Sequence, residues 1–153
     1  MVNGICKYCK LKTCESSGYH CGGCPPKLTK LLEILEKGIL SPDCNVDFLM
    51  ATIHITEDEL CFITEKYFGC SPKRLIENLK LEIAIKAIND ENTIVEIVID
   101  SGYSSIDAFR KAFKRRFKIK FEHLKNILSE PQKKDKIKND LINGLWTTFT
   151  TKL

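Results

Sequence analysis

What this chain lacks narrows its function before any motif is weighed. No stretch reaches the roughly 18 consecutive apolar residues of a membrane-crossing helix, so no spanning segment and no membrane partner is expected. The start, MVNGICKYCK, has no basic leader followed by an apolar run, which argues against a signal peptide and for a cytoplasmic protein. Nothing pairs a nucleophile with a base, cradles a phosphate in a glycine-rich loop or sets two carboxylates together, so an enzyme is not expected. Solenoid repeats and low-complexity tracts are missing as well. Strand-like alternation is scarce, and the periodicity that is present is helical.

What remains is a chain of 153 residues, enough for one ordinary domain or a small domain with an appendage. At 43% hydrophobic and 29% charged residues it can bury a core and is not disordered. A net charge of +4 does not by itself identify an anionic partner. Its placement is more informative, because the charge is uneven. Composition divides the chain into a Cys-, Gly- and Lys-rich segment (1–26) closing with CPP, a helical part (27–128), and a tail (129–153). The tail opens with SEP, carries KKDKIK and ends in NGLWTTFTTKL; it is open to helix formation.

The middle part reads as about seven short helices. Leu28, Leu31, Leu32 and Leu35 share one face of the first, which stops at Gly38. Asn45 is placed to cap the next. Thr56 with Glu59 three residues on forms a capping-box pattern, and that helix ends at Gly69. Ser71 followed by Pro72 is a strong start signal for a long helix over 71–90, striped by Leu75, Leu79, Ile83 and Ala87. A helix, tight turn, helix unit is thus expected at 46–68 and again at 94–117, the second turning at Gly102. The fold class expected is all-α: two such units joined by the long helix.

Within the second unit, FRKAFKRRFKIKF interleaves Arg110, Lys111, Lys114, Arg115, Arg116, Lys118 and Lys120 with Phe109, Phe113, Phe117 and Phe121. Phe109, Ala112, Phe113 and Phe117 fall on one helical face and the basic residues on the other. Taken alone, this fits a solvated charged helix over an aromatic core as well as it fits a binding face.

The segment does not stand alone. EIVIDSGYSSIDAFRKAFKRRFKIKFEHLK resembles the second helix-turn-helix of the AraC-type transcription regulators. The matching positions are Glu96, Ile97, Gly102, Tyr103, Ser104, Ser105, Phe109, Phe113, Lys114 and Phe117. Upstream, Gly69, Ser71, Pro72 and Leu75 resemble the start of that family's linker helix, and the similarity covers roughly residues 28–127. The resemblance implies two helix-turn-helix units about one DNA turn apart, each presenting its second helix to the major groove of double-stranded DNA. Carried over by position, Ile106, Asp107, Arg110 and Lys111 would face bases. Ser104, Ser105 and Lys114 would lie near phosphates, with Arg115 also at the DNA. Arg and Lys can donate to guanine O6 and N7, and Asp107 can accept from a cytosine amino group or simply favour the helix dipole.

The first unit departs from the pattern. Its second helix, TEDELCFITEKYF, places Glu57, Asp58 and Glu59 in the first turn and offers only Lys66 as a base. Acids aimed at phosphates oppose binding. This half is therefore expected to grip weakly through Phe62 and Cys61, or to face a protein. His54 stands in its turn where the family usually has glycine.

Five of the chain's eight cysteines lie between Cys6 and Cys24, spaced C-x2-C-x4-C-x6-C-x2-C. A reducing cytoplasm disfavours a disulfide knot. Two C-x2-C knuckles around a short loop suit four thiolates on one tetrahedral ion, with Cys6, Cys9, Cys21 and Cys24 the leading ligands of a zinc site. Cys14 and His20 are further ligands in reach, and an iron–sulfur cluster held by Cys6, Cys9, Cys14 and one of the later pair is the alternative. Cys44, Cys61 and Cys70 read as small apolar residues.

The function expected is a sequence-specific DNA-binding regulator with a metal- or redox-linked cysteine module. RNA polymerase or another regulator would be the further partner. Two alternatives stand beside it. One is an alkyl-acceptor protein resembling the Ada proteins. The other is an antagonist of another regulator, motivated by the acidic first unit and the amphipathic LINGLWTTF.

Overall fold

The computed structural model describes residues 26–147. Cys6, Cys9, Cys14, His20, Cys21 and Cys24, and with them the expected metal module, lie outside the described residues. Those described form eight α-helices and no strand: α1 (Pro26–Gly38), α2 (Val46–Ile53), α3 (Glu57–Phe68), α4 (Pro72–Ala87), α5 (Ile94–Asp100), α6 (Ile106–Phe117), α7 (Phe121–Ile127) and α8 (Pro131–Thr147). The all-α fold expected from the sequence is what forms. None of these helices is long and apolar enough to cross a membrane. The chain divides into two compact units. The first holds α1, α2, α3 and the opening residues of α4; the second holds Ile39–Pro42, the rest of α4, and α5 to α8.

Local chemistry explains the first unit's boundaries. The Asn45 side chain accepts the Phe48 N–H at 2.9 Å and starts α2. The helix closes at His54, whose N–H donates to Met50 O at 2.9 Å from a left-handed conformation (φ 61°). Thr56 then accepts the Glu59 N–H at 3.3 Å, while Glu59 accepts the Thr56 N–H at 3.0 Å, completing the capping box. Glu59 also pairs with Lys27 of α1 at 2.7 Å. Beneath lie Leu28, Leu31, Leu32 and Leu35 of α1, all buried, with Leu49, Ile53, Leu60 and Ile63.

The second unit begins along α4, whose Ser71 accepts the Arg74 N–H at 3.3 Å as its sequence implies. The helix ends at Ala87 rather than at 90. Asn89 turns the chain by accepting the Glu91 and Asn92 N–H groups, and the Asn92 side chain donates to Ala87 O at 2.8 Å. The expected apolar stripe also drifts. Leu75 and Leu79 are buried, but Ile83 and Ala87 are only partly so, and Leu81, Ala84, Ile85 and Ile88 take over. The reason is that α4 is approached from several sides. Glu77 meets α6, Lys80 meets the turn at Gly102, and Asn78 and Glu82 meet α8. A second capping box, Thr93 with Glu96, starts α5.

The aromatic face of α6 closes this core. Phe109 and Phe113 meet Phe121 of α7 edge-on, with ring centroids 5.1 and 5.5 Å apart. Helix α8 belongs to the same core. Leu145 is fully buried, its carbonyl accepts from Asn78 at 3.1 Å, and Trp146 donates to Glu82 at 2.9 Å. The apolar residues of LINGL, read as a surface for another regulator, are thus engaged within the protein.

Two non-glycine residues hold left-handed conformations, His54 (φ 61°) and Lys118 (φ 63°), the latter ending α6. Each costs about 1–2 kcal/mol relative to glycine, partly offset by the greater freedom of glycine when unfolded. His54→Gly and Lys118→Gly are each expected to raise stability by about 0.5–1 kcal/mol in denaturant titrations. A loss of stability in both would contradict the backbone assignment.

Candidate nucleic-acid interface

Helix α6 owes its start to Ser105, whose hydroxyl oxygen accepts the Ala108 N–H at 3.1 Å and keeps its own proton to give. Gly102 makes the preceding turn possible. Its φ is +79°, and a Cβ there would stand 2.7 Å from Ile39 O and 2.8 Å from Leu40 C and O. Beside it, Lys80 is only 7% exposed; its ammonium donates to Gly102 O at 2.8 Å and to Ser41 O at 3.3 Å. Nothing in the sequence marks Lys80 for this work, because a lysine on a helix reads as solvated. Tyr103 packs edge-on against Phe109 at 5.3 Å, and burial, with the Glu77 charge adding, pushes its phenol well up.

The residues proposed for base and phosphate contact separate into three groups. Ser104, Ser105, Asp107, Lys111 and Lys114 are exposed, and Lys111 and Lys114 make no ion pair among the described residues. Arg110 is exposed too, but its guanidinium is held by Glu122 of α7, with Nε at 2.8 Å and Nη2 at 2.7 Å from the same carboxylate oxygen. The Glu122 carboxyl sits below the usual carboxylate range, chiefly through its own backbone N–H, with Arg110 adding. The third group is engaged by its own unit, although Arg115 itself stays exposed. Ile106 is half-buried against the core. Arg115 pairs at 2.5 Å with Glu77, a carboxylate only 13% exposed, and Arg116, from the same basic run, donates to Leu145 O at 2.9 Å. Neither arginine's partner is visible from the spacing of the basic residues.

The corresponding helix of the first unit has the opposite character. Helix α3 carries Glu57, Asp58, Glu59 and Glu65 against Lys66, whereas α6 carries five cations against Asp107. Phe62 is 64% exposed, with the Lys66 ammonium 5.6 Å from its ring centre. Cys61 is partly exposed. Burial pushes its thiol up, and Glu57, Glu65 and Asp58 push the same way, so it is not an activated thiolate. Glu59 is spent in the cap, its carboxyl held down first by Lys27 and then by the Thr56 N–H. Cys44 and Cys70 are buried.

Two helix-turn-helix motifs, one with a basic exposed second helix, define the class of protein. A family model described as a helix-turn-helix domain matches residues 49–126, just over half of the chain, and the chain belongs to this AraC-type helix-turn-helix family. Among curated proteins it is similar to the HTH-type transcriptional regulator GbdR of Pseudomonas aeruginosa, in strains UCBPP-PA14 and PAO1. The two are 26% identical over 95 residues, 61% of this chain and 26% of GbdR. The chain therefore spans about a quarter of the length of the curated relative it matches. No solved structure matches.

Proposed function

We propose that this protein is a sequence-specific DNA-binding transcription regulator that reads DNA with α6. The observation that carries the proposal is the exposed face of that helix, where Asp107, Arg110, Lys111 and Lys114 lie together over a buried aromatic core. Membership of a helix-turn-helix family and the printed name of GbdR support a non-enzymatic regulator. In this reading Arg110 and Lys111 donate to base edges, and Lys114 and the two serines at the helix start anchor phosphates. Arg115 contributes field rather than contact while Glu77 holds it. The first unit adds little Coulombic attraction, because Asp58 and Glu65 flank the exposed Phe62 on its second helix. Apolar contact through Phe62 and Cys61 is its contribution.

For the N-terminal segment the reading rests on spacing alone. Cys6, Cys9, Cys21 and Cys24 would hold one zinc, with Cys14 and His20 as spare ligands that tie the module to redox state or metal supply; a cluster is the other occupant that the spacing admits. Metal analysis and a visible spectrum of anaerobically purified protein separate the two: one zinc and no colour for the first, sulfide-to-iron absorption for the second.

Selection from a pool of random duplexes tests the main reading. One sequence is expected to be enriched, with log affinity falling linearly against log salt at a slope of about −0.9 per phosphate contact. A pool that stays unenriched at low salt would overturn it.

A further inference from the structure

Resting on the reading of α6 as the DNA-contacting helix, we propose that Glu122 is a positioning residue that makes Arg110 the specificity-determining donor for one guanine. The exposed cations of α6 are not equivalent. Lys111 and Lys114 are single ammonium groups on flexible stems, which attract any phosphate and discriminate poorly. Arg110 and Arg115 are both exposed and both held by a carboxylate. The partner of Arg115 is the largely buried Glu77, however, whereas Arg110 is held by the exposed Glu122 beside it.

The geometry of the pair leaves the useful edge free. Glu122 Oε1 takes two N–H groups of Arg110, one from Nε and one from Nη2. An arginine has five N–H donors in a planar fork. Three therefore remain, and two of them, one on Nη1 and one on Nη2, form the end-on edge of the fork, which the carboxylate does not occupy. That edge matches the O6 and N7 acceptors of guanine, which arginine recognises with two parallel hydrogen bonds. Biasing the side chain toward this geometry beforehand offsets part of the ordering cost that a free arginine meets on binding.

The pair is ill suited to a structural role. Both side chains are about half exposed, so their contact adds little to stability. Glu122 lies in the first turn of α7, and that helix is anchored by buried Phe121 and Leu124. Its carboxylate stays ionised because its own backbone N–H and Arg110 both favour the charged form. Removing it should leave the fold intact and let the guanidinium swing.

The test uses the duplex that the full-length wild-type protein enriches; failure to enrich any sequence would count against the DNA reading rather than this one. Wild type, Arg110→Ala, Glu122→Ala, Glu122→Gln and the Arg110→Ala/Glu122→Ala double variant are titrated with that duplex and with copies altered at single base pairs. Thermal melting is followed in parallel. Arg110→Ala is expected to reduce discrimination at one G·C pair about tenfold to a hundredfold. Glu122→Ala should reduce discrimination at the same pair about threefold to fivefold, leave the melting temperature unchanged and tighten binding to unrelated DNA. Glu122→Gln, which keeps an acceptor oxygen, should fall between. The double variant should discriminate no worse than Arg110→Ala. Three results overturn the proposal: intact discrimination in Glu122→Ala with uniformly tighter binding, a Glu122→Ala effect that persists without Arg110, or no G·C pair that depends on Arg110.

Discussion

Gly102→Ala is expected to cost about 3 kcal/mol or more and to abolish DNA binding by the second unit. The left-handed backbone at φ +79° accounts for about 1–2 kcal/mol of this. The new Cβ would also stand within 2.8 Å of three backbone atoms of Ile39 and Leu40, and main chain cannot swing aside as a side-chain tip can. Overpacking of this kind adds about 1–3 kcal/mol. If Ile39–Pro42 is displaced instead, Lys80 loses the geometry in which it bonds Gly102 O and Ser41 O together, so the damage reaches a buried ammonium. The melting midpoint should fall by about 10 °C. A fall of only a degree or two would mean that the turn does not press on Ile39 and Leu40 in solution.

The second large effect concerns affinity alone. Lys111→Ala combined with Lys114→Ala is expected to weaken binding by about two orders of magnitude at low salt and to reduce the salt slope by about two. Both side chains are exposed and neither takes part in an ion pair among the described residues, so the melting temperature should not move. Arg115→Ala makes the contrast, because Glu77 holds that guanidinium. Its substitution should change the salt slope by less than either lysine. A slope change in Arg115→Ala as large as half that of the double lysine variant would show that Arg115 leaves Glu77 to meet the duplex, and α6 would then grip through a wider face than its free structure displays.

Much of this architecture was legible in the residues. Asn45, the Thr56–Glu59 pair, Ser71 before Pro72, and Gly102 mark helix ends because each acts on backbone groups within a few positions of itself. The face formed by Phe109, Ala112 and Phe113 is buried as its period implies. The resemblance carried by the second unit agrees with the family that the chain belongs to.

Short-range patterns also account for what was missed. Lys118 closes α6 in a left-handed conformation that no property of lysine announces, whereas His54, which does the same for α2, stands where the family's glycine pointed to a turn. The seven basic residues of FRKAFKRRFKIK read as one stripe, yet the structure sorts them by partners far away in the chain. Glu122 lies 12 residues from Arg110, Glu77 lies 38 from Arg115, and Leu145 lies 29 from Arg116. Lys80 is buried where Gly102 and Ser41 bring carbonyls to it from 22 and 39 residues away.

The sequence by itself determined where helices begin and end, which faces are apolar, and that one helix-turn-helix unit is basic and the other acidic. All of these depend on neighbours within about one turn of chain, or on composition alone. Only the tertiary structure decided which cations remain available to a ligand. A charge is free or committed according to the groups that packing brings to it, and periodicity reports a face without saying what will cover it. For α6 that distinction leaves Lys111 and Lys114 open, Arg110 held but facing outward, and Arg115 and Arg116 tied to their own unit.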